Sequence, residues 1–346
     1  MRYRSYEWLY KTFFPIAIAS FVSVNLFTNI PTANSAINER VNSSSGTNKF
    51  TNFKLVRTLR GHSGTIKSLA FSPNSKVLIS GGADNEGAIG LWNAQTGRRM
   101  GSIKKAHKTA VQSLVVSPDG RTLASSGSDH SINLWNMRNR KFNRSFVAHR
   151  SHVLSLAVSA ENNLLVSGGL DGIRVWDLSH QRPLKTIVRY GNAIYTMAIA
   201  PNGKILASGD KQGVIKLWDL ESGNLIREFT AHNDTVTSMA FTINGQNLVT
   251  ASRDRTIKLW SLPGGKLMRT LAGHESWVNK ITVHPNGIIL ASAGRDGIKL
   301  WDLSTGKLLD TLDGHSDWVS AIAFSPDGKT LASGGFDRKI KIWRIQ

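Results

Sequence analysis

Seven tryptophans stand at near-equal intervals along this 346-residue chain: Trp92, Trp135, Trp176, Trp218, Trp260, Trp301 and Trp343, separated by 43, 41, 42, 42, 41 and 42 residues. A second marker precedes each by 27 to 30 residues: His62, His107, His149, Tyr190, His232, His274 and His315. A period of about forty residues means one supersecondary unit written several times, in which no unit buries its apolar surface alone. Length by itself would suggest two or three domains; the period replaces that expectation with a single repeat body.

The last unit shows what is being repeated. After "GHSDW" comes the alternating run "VSAIAF", the turn "SPDGK", then "TLASGG", a second turn at Asp337-Arg338, and "KIKIW". A Pro-Asp-Gly or Pro-Asn-Gly segment between alternating β-branched runs is a hairpin signal, because proline presets one turn angle and glycine accepts the positive φ that closes it. "SPDGR", "APNGK" and "HPNGI" repeat it, as do "TINGQ" and "SAENN" without proline. A further turn such as "STGK" leads to a fourth strand such as "LLDTL". Each unit is therefore four antiparallel strands. Seven such sheets, stacked radially, cover one another's faces and leave only short edges.

A GH or AH dipeptide, the 27–30-residue span and a terminal Trp-Asp at Trp176-Asp177, Trp218-Asp219 and Trp301-Asp302 resemble the WD40 repeat, over residues 53–346. The resemblance implies an all-β fold, a seven-bladed β-propeller of four-stranded antiparallel blades. The third strand of the last unit has no fourth after it, whereas "FKLVRTL", residues 53–59, reads as a fourth strand with no unit before it. The N-terminal strand is expected to complete the last blade, closing the ring and covering an open edge.

The resemblance also implies a buried hydrogen-bond chain in each blade, from the histidine through a serine or threonine to the turn acid and the tryptophan. The matching sets are His62, Ser80, Asp84 and Trp92; His107, Ser125, Asp129 and Trp135; His149, Ser167, Asp171 and Trp176; His232, Thr250, Asp254 and Trp260; His274, Ser292, Asp296 and Trp301; and His315, Ser333, Asp337 and Trp343. In the fourth unit Tyr190 replaces the histidine and Gln212 the acid, so both ends of the chain are lost together. An orphaned buried carboxylate would be worse than none. The first unit keeps Asp84 but has a b–c turn two residues longer.

A Ser/His/Asp set present six times reads as a structural device and not as a catalytic triad. His149 and His152 have metal-ligand spacing, but His149 is already a repeat marker and no nearby carboxylate completes a site. No phosphate loop, H-E-x-x-H or G-x-S-x-G occurs. The reading is of a non-enzyme with no catalytic, metal or cofactor site.

Composition adds two constraints. Forty-three Lys and Arg against 23 Asp and Glu give a net charge of +20, which favours acidic partners or anionic surfaces. The absence of cysteine removes disulfides and thiolate chemistry. The N-terminus opens with the basic "MRYRSYEWLYK", continues with the apolar "TFFPIAIASFVSVNLF", and reaches small residues near Ala33-Asn34-Ser35. Residues 1–35 read as an export signal, with an uncleaved anchor as the alternative. Residues 36–52, rich in Asn, Ser and Thr, read as a flexible linker. A periplasmic or extracellular location follows from this reading.

In the family, three positions per blade point to the face that binds proteins or peptides: one and three residues after the histidine, and the residue before the turn acid. Here they supply Trp277, Trp318 and Phe336, flanked by Arg253 and Arg295, with Lys108, Arg150, His152 and Lys211 elsewhere on the face. Aromatic and arginine side chains are the usual anchors of interfaces. The leading expectation is a monomeric scaffold for a protein or peptide ligand. The alternatives are a basic module docking on anionic lipid or glycan and, behind it, a propeller enzyme. Nucleic acid is not expected as a partner, because Arg174, Lys216, Lys258, Lys299 and Lys341, each two residues before a repeat tryptophan, disperse the charge around the rim.

Overall fold

A computed structural model describes residues 52–346, apart from 148, 160, 162, 190–192 and 263. The export signal read at 1–35, all but the last residue of the linker read at 36–52, and the Tyr190 marker lie outside the described residues.

The chain forms seven four-stranded antiparallel sheets, the expected blades. In blade one, strand a is Ile66–Phe71, b Val77–Gly82, c Ile89–Asn93 and d Arg99–Ile103. The same order recurs at 111–146, 153–189, 194–230, 236–272 and 280–312. Blade seven takes strands a to c from Val319–Phe324, Thr330–Gly335 and Ile340–Ile345, and its strand d from Phe53–Leu59. That last strand pairs antiparallel with the third, from Phe53 opposite Ile345 to Leu59 opposite Ile340, with an irregularity between Leu55 and Arg57.

The apolar core lies between blades. It divides into seven clusters, each drawn from two consecutive blades. Ile79, Ile89, Val111, Leu114 and Trp135 join blades one and two. Leu59, Ala332, Ile340 and Ile342 of blade seven pack on Ile66, Leu69 and Trp92 of blade one, which closes the ring. Each buried tryptophan or branched side chain contributes about 1.5–3 kcal/mol to these seams. The seams demand small residues on strand b: a Cβ on Gly81 would lie 2.6 Å from Val111 Cγ1, and one on Gly334 the same distance from Ile66 Cγ2.

Polar latches reinforce the seams near the axis. Ser68, Ser113, Ser155 and Ser238, each third in its strand a, accept the backbone N–H of Leu114, Leu156, Met197 and Ile281 in the next blade. Thr237, Asn279 and Ser320, each second in strand a or just before it, donate to Val278, Val319 and Ile66 carbonyls of the following blade. At the rim, Lys185 donates to the Glu221 carbonyl, Arg227 to Gly264, Arg269 to Ser304 and Thr305, and Arg344 to Ala94 and Gln95. Part of the basic excess is therefore engaged in clamping blades three, four, five and seven each to a turn of the next.

Candidate functional site

The innermost strands surround a central channel, and its mouth is built from equivalent positions. Lys67, Gln112, Leu154, Tyr195, Thr237, Asn279 and Ser320 come one from each blade. Above them stand Trp277 and Trp318 from the d–a loops and Arg253 and Phe336 from the b–c turns, so the mouth opens on the face that carries both kinds of loop. The cavity measures about 470 Å³, and Lys280 completes its lining.

The loops are positioned by the polar chain inside each blade. In blade five Trp260 Nε1 donates to Thr250 Oγ1 at 2.9 Å, His232 Nε2 lies 2.8 Å from the same oxygen, and His232 Nδ1 lies 2.9 Å from Asp254. A carboxylate only accepts, so Asp254 receives the Nδ1 proton, and an indole N–H only donates, so Thr250 Oγ1 accepts from Trp260. The acid reaches further, accepting the N–H of the residue after the histidine: Asp129 from Lys108, Asp171 from Arg150, Asp254 from Asn233, Asp296 from Glu275 and Asp337 from Ser316. Each chain therefore ties a b–c turn to a d–a loop, the two segments that form the face.

The same links occur around His107, His149, His274 and His315, with the acid 2.7–2.9 Å from Nδ1 and the hydroxyl 2.7–2.8 Å from Nε2. Ser125, Ser167, Ser292 and Ser333 are fully buried, each accepting its tryptophan's indole N–H. A hydroxyl so enclosed has no access to a substrate. Burial disfavours the charge on Asp129, Asp254 and Asp296, but hydrogen bonds from histidine and neighbouring donors outweigh it and hold these carboxyls well below the usual range. Burial depresses His62, His149 and His315.

Blade one corrects the sequence reading. Asp84 is not the acid of its chain: His62 Nδ1 lies 2.9 Å from Glu86 Oε1, while Nε2 meets Ser80 at 2.6 Å and Trp92 donates to Ser80 at 2.8 Å. Asp84 is exposed, has a φ of 54°, and accepts the Thr65 N–H at 2.8 Å. Elsewhere the acid directly precedes the positive-φ residue of the turn, as in Asp254-Arg255 and Asp296-Gly297, and in blade one that pair is Glu86-Gly87. The two added residues shift the slot, so counting back from the tryptophan finds the acid where counting forward from the serine misses it.

The face residues are unequally placed. Trp277 and Trp318 have ring centroids 5.4 Å apart at 54°, with the Arg253 guanidinium 4.8 Å over Trp277 and Arg295 6.0 Å over Trp318. Lys67 Nζ lies 4.8 Å over Phe336. Trp277 is 45% exposed and Phe336 42%, enough surface to meet a partner. Arg295 joins Arg253, Trp277 and Trp318 in an adjoining depression with Asp234 and Glu275. Lys108, Arg150, His152 and Lys211 line neither depression; all four are exposed, and His152 packs its ring 5.7 Å from His130. Lys67 and Lys280 were not among the expected face residues; the position after the buried Ile or Val that opens each strand-a run marks the mouth once per blade and includes Lys67, whereas Lys280 lies one residue further on. Among the described residues no group of three or more His, Cys, Asp or Glu is arranged to hold a metal ion.

Comparison with known proteins gives a consistent picture. A family model described as the IFT122 first beta-propeller matches residues 85–297, and one described as WD domain, G-beta repeat, matches 53–93 and 306–344. The chain is 26% identical over 119 residues to the anaphase-promoting complex subunit cdh1 of Dictyostelium discoideum, covering 34% of this chain and 16% of that protein. It is 30% identical over 124 residues to the U5 small nuclear ribonucleoprotein 40 kDa protein of the same organism, covering 36% and 34%. It is 45% identical over 53 residues to the small ribosomal subunit protein RACK1 of Medicago sativa, covering 15% and 16%. The match thus spans between about a sixth and a third of these relatives' lengths.

Proposed function

Because the chain belongs to the WD40-repeat family of β-propellers, we propose that it is a non-catalytic scaffold that holds a protein or peptide ligand on the face carrying Trp277, Trp318 and Phe336. The observation that carries this reading is the exposed aromatic cluster, gripped by arginines, over the channel mouth. Exposed aromatic side chains beside arginine, gathered at the centre of a face, match the anatomy of interface anchors. The export reading of residues 1–35 belongs to the same proposal and rests on sequence alone. It places the monomeric propeller outside the cytoplasm, and intact mass of protein from its native host tests the cleavage.

Docking on an anionic surface is the weaker reading, because several rim cations are engaged with backbone carbonyls of adjacent blades. Affinity capture from the extracytoplasmic fraction, with the wild type and the Trp277→Ala/Trp318→Ala double variant as baits, separates them. The expected result is loss of the captured partner by the double variant with an unchanged unfolding transition. Retention of the same partner by the double variant overturns this face as the site. Capture that disappears between low and physiological salt points to the surface-docking reading instead.

A further inference from the structure

Lys280 has no structural reason to be lysine. It stands third in its strand-a run, where the other blades carry Ser68, Ser113, Ser155, Thr196, Ser238 and Ala321. Ser238, its counterpart in blade five, accepts the Ile281 N–H and so latches two blades. At Lys280 that use is given up. The side chain is half-buried in the wall of the channel mouth, no carboxylate pairs with it among the described residues, and burial alone holds its amine below the ordinary lysine range. An uncompensated cation in such a place is unfavourable unless something else neutralises it.

The surroundings show what that is. Three cations line the 470 Å³ mouth, Lys67, Arg253 and Lys280, and no acid does. Lys67 rests over the face of Phe336 and Arg253 over that of Trp277. Cation–π contact fixes a cation's position without cancelling its charge, so both heads stay available to an anion. Asp84 acts on Lys67 from outside the mouth, and burial still leaves that amine depressed. The depression beside it, by contrast, mixes Arg253, Arg255 and Arg295 with Asp234, Asp254 and Glu275. Of these two depressions, only the channel mouth has cations and no acid in its lining.

We infer that the channel mouth takes an acidic peptide segment: one Asp or Glu carboxylate descends to Lys280 between Lys67 and Arg253, while a neighbouring apolar side chain lies against Trp277, Trp318 and Phe336. The inference rests on the scaffold reading above and adds the chemistry of the ligand. A small free anion would leave the aromatic surface uncovered, and a neutral apolar peptide would leave the three cations unpaired.

The test uses the full chain and amidated, acetylated peptide pools with the central residue fixed as Glu, Asp, Gln, Lys or phosphoserine and the flanking positions mixed among Phe, Leu and Trp. Binding is measured for the wild type, Lys280→Met, Lys280→Arg and Trp277→Ala/Trp318→Ala. The Glu and Asp pools should bind the wild type at least about tenfold more tightly than the Gln pool. Lys280→Met should erase that preference, and Lys280→Arg should keep most of it. Lys280→Met should unfold at the same temperature as the wild type or higher, since it removes an unpaired buried charge.

Equal binding of Glu and Gln pools overturns the inference, as does an acidic preference that survives Lys280→Met or a strong loss of stability in that variant. A phosphoserine pool that outbinds Glu by more than tenfold replaces the carboxylate with a phosphopeptide. If the pools bind without acidic preference but lose binding in the tryptophan double variant, the ligand chemistry falls and the scaffold face stands. If none binds, or binding ignores the tryptophans, both fall.

Discussion

Blades four and five are adjacent and alike in strand layout, yet they hold their loops by different means. In blade five the chain from Trp260 through Thr250 and His232 to Asp254 is complete and reaches the Asn233 N–H. In blade four the described residues keep its first link alone, Trp218 donating to Ser208 at 2.9 Å. Gln212 occupies the acid slot, and the nearby Asp210 is folded back onto its own turn, accepting the N–H groups of Gln212 and Val214. Among the described residues Thr196, third in strand a of blade four, makes no latch to blade five, and the two are joined there by Thr235 donating to the Lys211 carbonyl. Blade four is nevertheless well packed, with Ile215, Leu217 and Trp218 buried in the seam to its neighbours. Apolar burial therefore builds a blade; the polar chain fixes the loops at one end of it. The blades that present Lys67, Arg253, Trp277, Trp318 and Phe336 all have complete chains, and the blade that lacks one contributes only Tyr195 to the mouth.

The sharpest way to break this comparison is to cut the node. Thr250→Val keeps the shape of the side chain but leaves both His232 and the Trp260 indole without a partner, and should destabilise the protein by about 2–4 kcal/mol in urea unfolding. The corresponding Ser208→Ala in blade four orphans one group and should cost about 1 kcal/mol. Equal losses would mean that the histidine half of the chain contributes nothing.

Acid should separate the two blades without mutation. Asp129, Asp254 and Asp296 have native pKa values below those of the unfolded chain, so the stability they add is present above about pH 4 and lost as pH falls below it. His62, His149 and His315 are also depressed, by burial, so the unfolded chain binds more protons and stability begins to fall below about pH 6.5. Both effects have the same sign. Hydrogen exchange corrected for intrinsic rates should show the b–c turns of blades one, three and seven losing protection from about pH 6.5 downward and those of blades two, five and six below about pH 4, with the turn at 210–214 unchanged. Uniform loss in every blade would remove the histidine–acid pairs as its cause. The smallest effect belongs to Gln212→Ala, expected within about 0.5 kcal/mol of wild type, whereas Asp254→Ala should cost about 1–3 kcal/mol by leaving His232 Nδ1 with only the longer contact to the Thr256 hydroxyl.

Much of this was legible in the residues because the repeat samples each position seven times. The tryptophan period and the Pro-Asp-Gly turns locate strands a to c, and the unmatched "FKLVRTL" points to the closing strand. The network residues follow the same period in five blades. Asp84 misleads because an insertion breaks the count between serine and acid; the six-residue distance from Glu86 to Trp92, the same as from Asp254 to Trp260, carries the true signal. The channel cations were hidden for another reason. Lys67 and Lys280 occupy strand positions whose meaning depends on closure, and a residue becomes axial only when seven blades surround it. The rim clamps were hidden likewise, since Arg227 and Arg269 look like solvent-facing charges until the next blade supplies carbonyls.

The pairing of Phe53–Leu59 with Ile340–Ile345 joins segments nearly three hundred residues apart, and this sets an order of events during synthesis. Phe53–Leu59, the first of the described strands, has to wait, unpaired, for Ile340–Ile345, the last of them. Until then Phe53 and Leu59 lack their seams, and the seam between blades seven and one is unmade. The intermediate blades can form beforehand, but the mouth, which draws on all seven blades, exists only once the circle is shut. A ligand for that mouth can therefore recognise only finished molecules.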